Sequence, residues 1–399
     1  MKILVLNCGS SSIKYKLIDM KDAVVLGQGA MEKVGISGSF LKHETIDGRK
    51  AKIDQYIPEH EIGIKLILDT ITSAENGIIT SLSELDAVGH RVVHGGEKFN
   101  ESALITPEII RGIEECVEMA PLHNPANLMG IRAIGKLLPN LPQIAVFDTA
   151  FHQTMPPEAY MYAIPYELYR RDAIRKYGFH GTSHRYVSAR AIEVLGLDPN
   201  NSKVITCHIG NGGSVAAILN GKSVDTSMGF TPLEGLMMGT RAGNIDFGAI
   251  AYLMGKEKLD VQGVSDLLNK RSGVLGVSGI SSDMRDVEKA ADEGNERAQL
   301  ALKMYDYRIK KFIGSYIAAM GGCDAIVFTG GVGENGDITR ANICADLEFM
   351  GITVDYRKNS GLRGVERVIS TDNSRTKVIV IPTDEEMTIA TDAWNILNK

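Results

Sequence analysis

The chain has 399 residues, a formal net charge of −6 and 44% hydrophobic residues, which fits a soluble globular protein of two or three domains and argues against a dedicated nucleic-acid-binding protein. Its five cysteines include no Cys-x-x-Cys pair, which excludes a disulfide framework and a cysteine-paired zinc site and favours a reducing compartment. The first apolar run is too short for a signal peptide, and no run reaches the length of a membrane span.

The first element is a predicted hairpin. Residues 3–6 are apolar and partly β-branched, as in a buried strand, and residues 13–19 alternate between apolar and polar side chains. Between them, residues 7–12 form a turn that is rich in hydroxyl and backbone N–H groups. Such a turn can hold a phosphate group, although a solvated hairpin tip is the simpler interpretation when this turn is considered alone.

Further elements follow from hydrophobic periodicity and from proline and glycine positions. The patterns predict β structure within 31–57, helices over 59–73, 107–119, 125–138, 260–270, 284–292 and 296–320, and strands at 86–94, 144–147, 325–328 and 377–381. A further helix is expected after residue 382, with acidic residues in its first turn. Residues 226–247 show little periodicity and are interpreted as a long functional loop.

A second predicted hairpin repeats the design of the first. Residues 204–207 and 215–219 read as strands, and the glycine-rich segment 208–214 connects them. The two hairpins lie about half a chain apart, so an internal duplication of the fold is one explanation. A coincidence of two glycine-rich hairpins is the other, and the hairpins alone do not decide between them.

Three segments rich in glycine and small polar residues follow predicted strands, at 7–12, 208–214 and 330–336. Ligands gather at the carboxyl ends of strands in α/β sheets, so these segments predict phosphate chemistry together. Isolated charged residues in or beside strands and loops strengthen that prediction: Arg91, Asp148, Arg241 and Glu385. Arg91 stands within an apolar strand, where a guanidinium needs an anionic partner.

The segment 331–336 matches the G-x-G-x-x-G fingerprint of dinucleotide-binding domains, and Asp355 lies about 20 residues further on. We discount that interpretation because no further strand–helix units follow to complete such a domain. Glu334 would also repel a pyrophosphate group. A glycine-rich platform under an adenine or a ribose fits the segment better.

Two histidine pairs have i, i+4 spacing. They are His90 with His94, and His180 with His184. A zinc site would need each pair on a helix with a third ligand, whereas the valines between the first pair favour a strand and Gly181 weakens a helix for the second. Structural or hydrogen-bonding roles are therefore the preferred prediction.

Several longer motifs resemble those of the acetate kinase family. They are Asn7-Cys-Gly-Ser-Ser-Ser-Ile-Lys14, His90-Arg-Val-Val-His-Gly-Gly, Val146-Phe-Asp-Thr-Ala-Phe-His152, Gly178-Phe-His-Gly-Thr-Ser-His184, His208-Ile-Gly-Asn-Gly, Gly239-Thr-Arg-Ala-Gly and Gly330-Gly-Val-Gly-Glu-Asn. The resemblance runs from the first strand to the last helix. The one departure is Cys8, where alanine is common in the family, and we expect little effect there because a turn position contributes mainly its backbone.

The resemblance implies a fold of two duplicated actin-like, ribonuclease H-like α/β domains that flank an active-site cleft. The N-terminal domain would comprise residues 1–150 and 385–399, because the C-terminal helix would return to it. Residues 151–384 would form the nucleotide-binding domain. The family resemblance also implies a cytoplasmic homodimer that needs no membrane and no nucleic acid.

The resemblance also assigns roles to individual residues. The catalytic residues would be Arg91, Asp148, His180 and Arg241. The pocket for the acetate methyl group would be formed by the apolar residues Val93, Leu122, Phe179 and Pro232, together with Arg91. Asn7 and Glu385 would position Mg²⁺. The first turn would add phosphate contacts from Asn7, Ser10 and Ser12. The nucleotide would be held by Lys14, His208, Ile209, Gly210, Asn211, Gly212, Asp283, Met284, Arg285, Gly331, Val332, Gly333, Glu334 and Asn335.

The implied reaction is reversible phosphoryl transfer between ATP and acetate, which gives ADP and acetyl phosphate, with Mg²⁺ or alternatively Mn²⁺. Acetate is already ionised at neutral pH, so no base is needed to activate it, and we predict direct in-line transfer. Transfer through a phosphorylated Asp148 or Glu385 is the rival mechanism. A propionate or butyrate kinase and a non-catalytic actin-like nucleotide switch are the alternative functions.

Overall fold

The computed structural model describes residues 1–399, and the chain divides into two compact units. Unit 1 comprises residues 1–151 and 384–399, and unit 2 comprises residues 152–383. None of the helices combines the length and the apolar character that are needed to cross a membrane.

The strands are β1 (Lys2–Cys8), β2 (Ser12–Asp19), β3 (Val24–Glu32), β4 (Phe40–Thr45), β5 (Lys50–Asp54), β6 (Ala87–Val92), β7 (Ala103–Leu104), β8 (Gln143–Phe147), β9 (Lys203–Ile209), β10 (Gly213–Leu219), β11 (Lys222–Thr226), β12 (Ala325–Thr329), β13 (Arg367–Val368) and β14 (Lys377–Val380). The α-helices are α1 (His60–Ile71), α2 (Pro107–Glu115), α3 (Asn124–Leu137), α4 (Pro157–Tyr160), α5 (Tyr166–Asp172), α6 (Gly181–Leu195), α7 (Phe247–Glu257), α8 (Val261–Lys270), α9 (Gly273–Ser278), α10 (Met284–Asp292), α11 (Glu296–Met320), α12 (Gly330–Asn335), α13 (Asp337–Cys344), α14 (Tyr356–Asn359) and α15 (Glu385–Leu397). Short 3₁₀ turns occupy Leu82–Glu84, Ala150–Thr154 and Glu348–Met350.

Unit 1 is built on an eight-stranded sheet of order β5-β4-β3-β2-β1-β6-β8-β7. Strands β1, β6 and β8 run parallel, and β1, β2, β3, β4 and β5 pair antiparallel in succession. Alternate residues of β1 supply the cores on the two faces of the sheet. Leu4 and Leu6 join the core that includes Ile64 and Ile67 of α1, whereas the opposite face packs against Ile389 of α15.

Unit 2 repeats this arrangement in a six-stranded sheet of order β11-β10-β9-β12-β14-β13. Strand β9 pairs antiparallel with β10 and parallel with β12, just as β1 pairs with β2 and β6. The five-strand pattern β3-β2-β1-β6-β8 of unit 1 therefore matches β11-β10-β9-β12-β14 of unit 2. All five residues of β12 are buried, as a parallel strand covered on both faces requires.

Most predicted elements are confirmed, and those with strong periodicity have the predicted bounds. Helices α10 and α11 span Met284–Asp292 and Glu296–Met320 as predicted, and both hairpins are present. No helix or strand interrupts the segment between β11 and α7, which agrees with the predicted long loop.

Three local expectations were wrong. The segment predicted as a glycine-rich loop at 330–336 contains helix α12, because Gly330 adopts a positive φ of 78° that turns the chain from β12 directly into the helix. Gly181 does not prevent a helix, since it is the first residue of α6. Cys8 ends β1 with a buried side chain that packs against Gly130, so this position contributes more than its backbone.

Candidate active site

The predicted catalytic residues of unit 1 lie at the carboxyl ends of three adjacent parallel strands. Asn7 is near the end of β1, Arg91 is near the end of β6, and Asp148 follows β8. Glu385 is the first residue of α15, which packs on this sheet. The topology thus brings together four residues that are far apart in sequence.

Arg91 is the centre of this group. Its Nε donates to both carboxylate oxygens of Asp148 at 3.1 Å, and its Nη2 donates to Oδ2 of Asp148 at 2.5 Å. Asp148 is only 1% exposed, whereas Arg91 is 23% exposed. On the other side, Nη1 of Arg91 lies 3.5 Å from Oδ1 of Asn7 and Nε lies 4.0 Å from Oε2 of Glu385. Asp148 therefore fixes the guanidinium in place while part of it stays accessible to a ligand.

The charges in this group are closely balanced. Burial raises the pKa of Glu385 to about 7, Arg91 and Lys14 oppose this shift, and the carboxylates of Asp148 and Glu386 add to it. Burial alone would lower the pKa of Arg91, but Asp148 and Glu385 raise it above its ordinary value. A further cation near Glu385 would favour its ionised form.

The first turn is held from two sides. The N–H of Gly9 donates to the carbonyl of Ser12 at 2.8 Å, and the side chain of Asn127 in α3 donates to the carbonyl of Cys8 at 2.9 Å. Ser10 is exposed and Ser12 is partly exposed, so both hydroxyls are accessible. Lys14 stands opposite Asn7 in the β1–β2 pairing, and its positive charge acts on Glu385.

The second turn, in unit 2, holds two predicted phosphoryl-binding side chains. A β-carbon placed on Gly212 would lie 3.7 Å from both Nη1 of Arg241 and Nε2 of His180. Both nitrogen atoms therefore lie beside Gly212 in the glycine-rich turn. His180 reaches this position because it precedes α6 with a left-handed φ of 56°, and its ring stacks on that of His208 at 4.3 Å between centroids.

Arg241 differs from Arg91 in its partners. The only hydrogen bond of its guanidinium is a long one of 3.5 Å from Nη1 to the carbonyl of Pro232, and no carboxylate pairs with it. Because no carboxylate offsets the effect of burial, the pKa of Arg241 lies below its ordinary value. A half-buried guanidinium without an internal anion can bind an external one.

A cavity of about 600 Å³ in unit 2 contains most of the predicted nucleoside-binding residues. Its predicted lining residues are Gly210, Asn211, Asp283, Met284, Arg285, Gly331, Val332 and Asn335. Gly239 also lines it, and a β-carbon there would lie 1.9 Å from Oδ1 of Asn211, so any larger residue would displace the Asn211 side chain.

The remaining predicted nucleotide residues have other positions. His208, Ile209, Gly212, Gly333 and Glu334 do not line this cavity, and Lys14 belongs to unit 1. The carboxylate of Glu334 accepts hydrogen bonds from the backbone N–H groups of Gly330 at 2.9 Å and Thr383 at 3.1 Å. Glu334 thus holds the start of α12 and does not face the cavity.

The four residues predicted to surround the acetate methyl group are divided between the units. Val93 and Leu122 belong to unit 1, and Phe179 and Pro232 belong to unit 2. Val93 and Phe179 are buried, whereas Leu122 is 63% exposed.

The histidine pairs have polar or backbone partners. His90 lies 2.8 Å from Oε1 of Gln143, and burial lowers the pKa of His90 to about 4. The N–H of Gly96 donates to Nδ1 of His94. The structure contains no cluster of three or more His, Cys, Asp or Glu side chains that could hold a metal ion.

Sequence reasoning missed several polar residues around these sites. Glu288, Tyr305 and Arg363 also line the cavity of unit 2. The fully buried Arg340 donates to the carbonyl of Gly333 at 2.9 Å and to Oδ1 of Asn359 at 2.8 Å, which stabilises the end of α12. Their sequence contexts carry no motif, so only the fold could have revealed them.

The comparisons with known proteins agree with one another. The model of the acetokinase family matches residues 2–391. The chain is 61% identical to the acetate kinase of Bacteroides thetaiotaomicron, and the match covers 100% of both chains.

Among solved structures, the acetate kinase of Porphyromonas gingivalis is 58% identical with a TM-score of 0.96 over 99% of each chain. A propionate kinase from Francisella tularensis is 42% identical with a TM-score of 0.91 over 98% of each chain. These matches and the repeated sheet order confirm the predicted fold of two duplicated actin-like domains. The chain therefore belongs to the acetokinase family.

Proposed function

We propose that this protein is an acetate kinase that transfers the γ-phosphoryl group of ATP to acetate, reversibly and with Mg²⁺. The observation that carries this proposal is the position of Arg241 and His180, whose side-chain nitrogens both lie beside Gly212 in the glycine-rich turn. Arg241 has no carboxylate partner, so it is ready to bind an anion. Phosphoryl transfer places negative charge on the oxygens of the transferring group, and cationic and N–H donors stabilise that charge.

The two arginines have different tasks in this proposal. Arg91 is oriented by Asp148, so its guanidinium can bind the acetate carboxylate with little loss of conformational freedom. Arg241 binds the transferring phosphoryl group, because it lacks a competing carboxylate. Acetate is ionised at neutral pH, so Asp148 orients Arg91 and removes no proton from the substrate.

The residues of unit 1 fit a magnesium ion that is also bound by substrate phosphates. Oδ1 of Asn7 and Oε2 of Glu385 both lie within 4.0 Å of the Arg91 guanidinium, and both are hard oxygen ligands. Burial, together with the nearby Asp148 and Glu386 carboxylates, raises the pKa of Glu385, so a bound cation would favour the ionised form of Glu385. Asn7 and Glu385 would hold the ion, partly through water, and the ion would supply charge stabilisation to the phosphate oxygens. Mn²⁺ has the same ligand preference and is the alternative ion.

ATP and ADP would occupy the cavity of unit 2. Its volume of about 600 Å³ falls within the range of small-molecule sites. Helix α10 and helix α12 contribute to its walls through Met284 and Val332, which can pack against a flat base. The backbone of Gly210 approaches the same cavity, and glycine leaves room for a phosphate chain there.

Propionate is the second candidate substrate, because one of the similar solved structures is a propionate kinase. One additional methylene group changes binding by only about 1–3 kcal/mol. The branched and buried Val93 would narrow the pocket for the acyl chain, which favours acetate over the longer acids. The kcat/KM values for acetate, propionate and butyrate decide between the candidates, and a higher value for propionate would reassign the substrate.

We also propose a homodimer in the cytoplasm. Unit 2 exposes several large apolar side chains, namely Ile245, Phe247, Tyr252 and Val261. Such exposed apolar groups are typical of subunit interfaces. All five cysteines are free thiols, which is compatible with a reducing compartment. Light scattering during gel filtration tests the dimer, and a monomeric mass would contradict it.

The direct test of function uses purified protein, ATP, acetate and MgCl₂, with trapping of acetyl phosphate by hydroxylamine. The expected result is formation of acetyl phosphate, and formation of ATP from ADP and acetyl phosphate in the reverse direction. A protein that binds ATP but forms no acyl phosphate in either direction would instead be a nucleotide-dependent switch.

A further inference from the structure

A chain of short hydrogen bonds leads from His180 into the core of unit 2. Nδ1 of His180 lies 2.9 Å from Oγ of Ser214, which lies 2.7 Å from Nε2 of His184. Nδ1 of His184 lies in turn 2.6 Å from Oγ1 of Thr206. We call Ser214, His184 and Thr206 the relay.

The sequence places these side chains together through two periodicities. His180 and His184 are one helical turn apart at the start of α6. Ala216 stands opposite Thr206 in the pairing of β10 with β9, and Ser214 is two residues from Ala216 on the same strand. Thr206 and Ser214 therefore project from the same face of the sheet.

The relay is dry and neutral. Ser214, His184 and Thr206 have no exposed surface. Burial lowers the pKa of His184 well below its ordinary value, and positive charge on the neighbouring His152 and His208 would lower it further. A neutral imidazole carries one N–H group, so His184 donates one of its two hydrogen bonds and accepts the other. The hydrogen bonds of the relay are therefore all donated towards His180 or all donated towards Thr206.

Thr206 determines that direction. Its Oγ1 has a single hydrogen-bond partner, Nδ1 of His184. If Thr206 accepted a hydrogen bond from His184, its own hydroxyl proton would be buried without an acceptor, which is unfavourable. Thr206 therefore donates to Nδ1 of His184, and the proton of His184 is on Nε2 and is donated to Ser214.

We propose that the relay fixes His180 as the neutral tautomer with its proton on Nε2, which makes Ser214, His184 and Thr206 positioning residues. The hydroxyl of Ser214 accepts from His184 and must then donate to Nδ1 of His180. Nε2 of His180, the atom that lies beside Gly212, is then an N–H donor. This inference rests on the proposed function, because it explains how His180 can donate to a phosphoryl oxygen without carrying a charge.

The first test measures the tautomer directly in the complete, ligand-free protein. Long-range ¹H–¹⁵N NMR spectra of ¹⁵N-histidine protein, with His180→Gln used for assignment, distinguish a protonated Nε2 from a protonated Nδ1. The proposal predicts a neutral His180 protonated on Nε2. A neutral His180 protonated on Nδ1, or a charged ring at pH 7.5, would overturn it. This measurement does not depend on enzymatic activity, so it tests the tautomer of His180 even if the protein forms no acetyl phosphate.

The second test is kinetic and uses nearly isosteric variants. Thr206→Val removes the hydroxyl that sets the direction of the relay, and we expect kcat to fall by about tenfold with little change in the KM for ATP. Thr206→Ser keeps the hydroxyl and should retain most of kcat. The matched control is Thr226→Val, whose hydroxyl is also buried but donates to the carbonyl of Val215. Equal losses in Thr206→Val and Thr226→Val, in proteins of similar melting temperature, would contradict the relay.

Discussion

The two units share a five-strand sheet order, but their predicted catalytic side chains have different kinds of partner. In unit 1, Arg91 is tied to the buried Asp148 by three hydrogen bonds, and Glu385 lies nearby with a raised pKa. In unit 2, Arg241 has no carboxylate partner, and His180 is supported by the neutral hydroxyl of Ser214. In unit 1 the arginine is paired with a carboxylate, whereas in unit 2 the arginine is unpaired and the neighbouring histidine is hydrogen-bonded to an uncharged hydroxyl.

This difference suggests a division of labour. A buried ion pair orients a guanidinium but also neutralises much of its charge, which suits the binding of a small carboxylate substrate. An unpaired guanidinium keeps its full charge for a group whose negative charge is redistributed during the reaction.

The largest expected effect is that of Arg241→Ala. This variant removes the unpaired cation, so we expect kcat to fall by about 10³-fold or more, with a smaller change in the affinity for ATP. Stability should be unchanged or slightly higher, because a buried charge without a partner is removed. Steady-state kinetics and thermal unfolding measure both effects. Arg271→Ala, at an exposed arginine that follows α8, is the control and should retain activity.

Arg91→Ala should also abolish most activity, but it should destabilise the fold. The variant leaves the carboxylate of Asp148 buried without its partner, which costs about 3–5 kcal/mol of unfolding free energy. Arg132→Ala breaks an exposed pair with Glu114 and should cost less than about 1 kcal/mol. If Arg91→Ala and Arg241→Ala have the same stability in urea unfolding, the contrast between the two sites is wrong.

His180→Gln should have an intermediate effect. Loss of one preorganised donor to a phosphoryl oxygen reduces kcat by about 10²-fold. The nucleotide cavity does not include His180, so the affinity for ATP in equilibrium binding should change little. A variant that loses ATP affinity and keeps kcat would make His180 a binding residue.

Glu385→Gln should change stability in the opposite direction from Arg91→Ala. The pKa of Glu385 is about 7 in the folded protein and about 4.5 as its ordinary value, so the folded state binds more protons between these values. The stability from this group is present in full below pH 4.5 and is lost as the pH rises to about 7. In EDTA at pH 8 the variant should be more stable by about 1–3 kcal/mol.

The gain in unfolding free energy of Glu385→Gln over the unaltered protein should become smaller as the pH is lowered towards 5. Glu386→Gln is the matched control, because Glu386 forms an ion pair with Lys16 at 3.1 Å and should gain no stability when neutralised. A pH-independent difference between Glu385→Gln and the unaltered protein would show that the carboxyl of Glu385 has an ordinary pKa.

Much of the fold could be predicted because its periodic elements are strong. The amphipathic pattern gave the bounds of α11. The two glycine-rich hairpins allowed a duplication as one of two explanations, and the shared sheet order supports it. Helix α12 was missed because its glycines are typical of loops, and only the positive φ of Gly330 and the contacts of Glu334 explain it. The relay could not be predicted, since Thr206 and Ser214 resemble ordinary strand and turn residues until the sheet register is known.

The central claim is that the phosphoryl group passes directly from ATP to acetate, with arginine and histidine as stabilising groups and no phosphorylated enzyme. ATP that is chiral at the γ-phosphorus through oxygen isotopes and sulfur tests this claim. Direct in-line transfer to acetate predicts inversion of configuration in the acetyl thiophosphate that is formed. Retention would require two transfers, through a carboxylate such as Asp148 or Glu385, and would contradict the account.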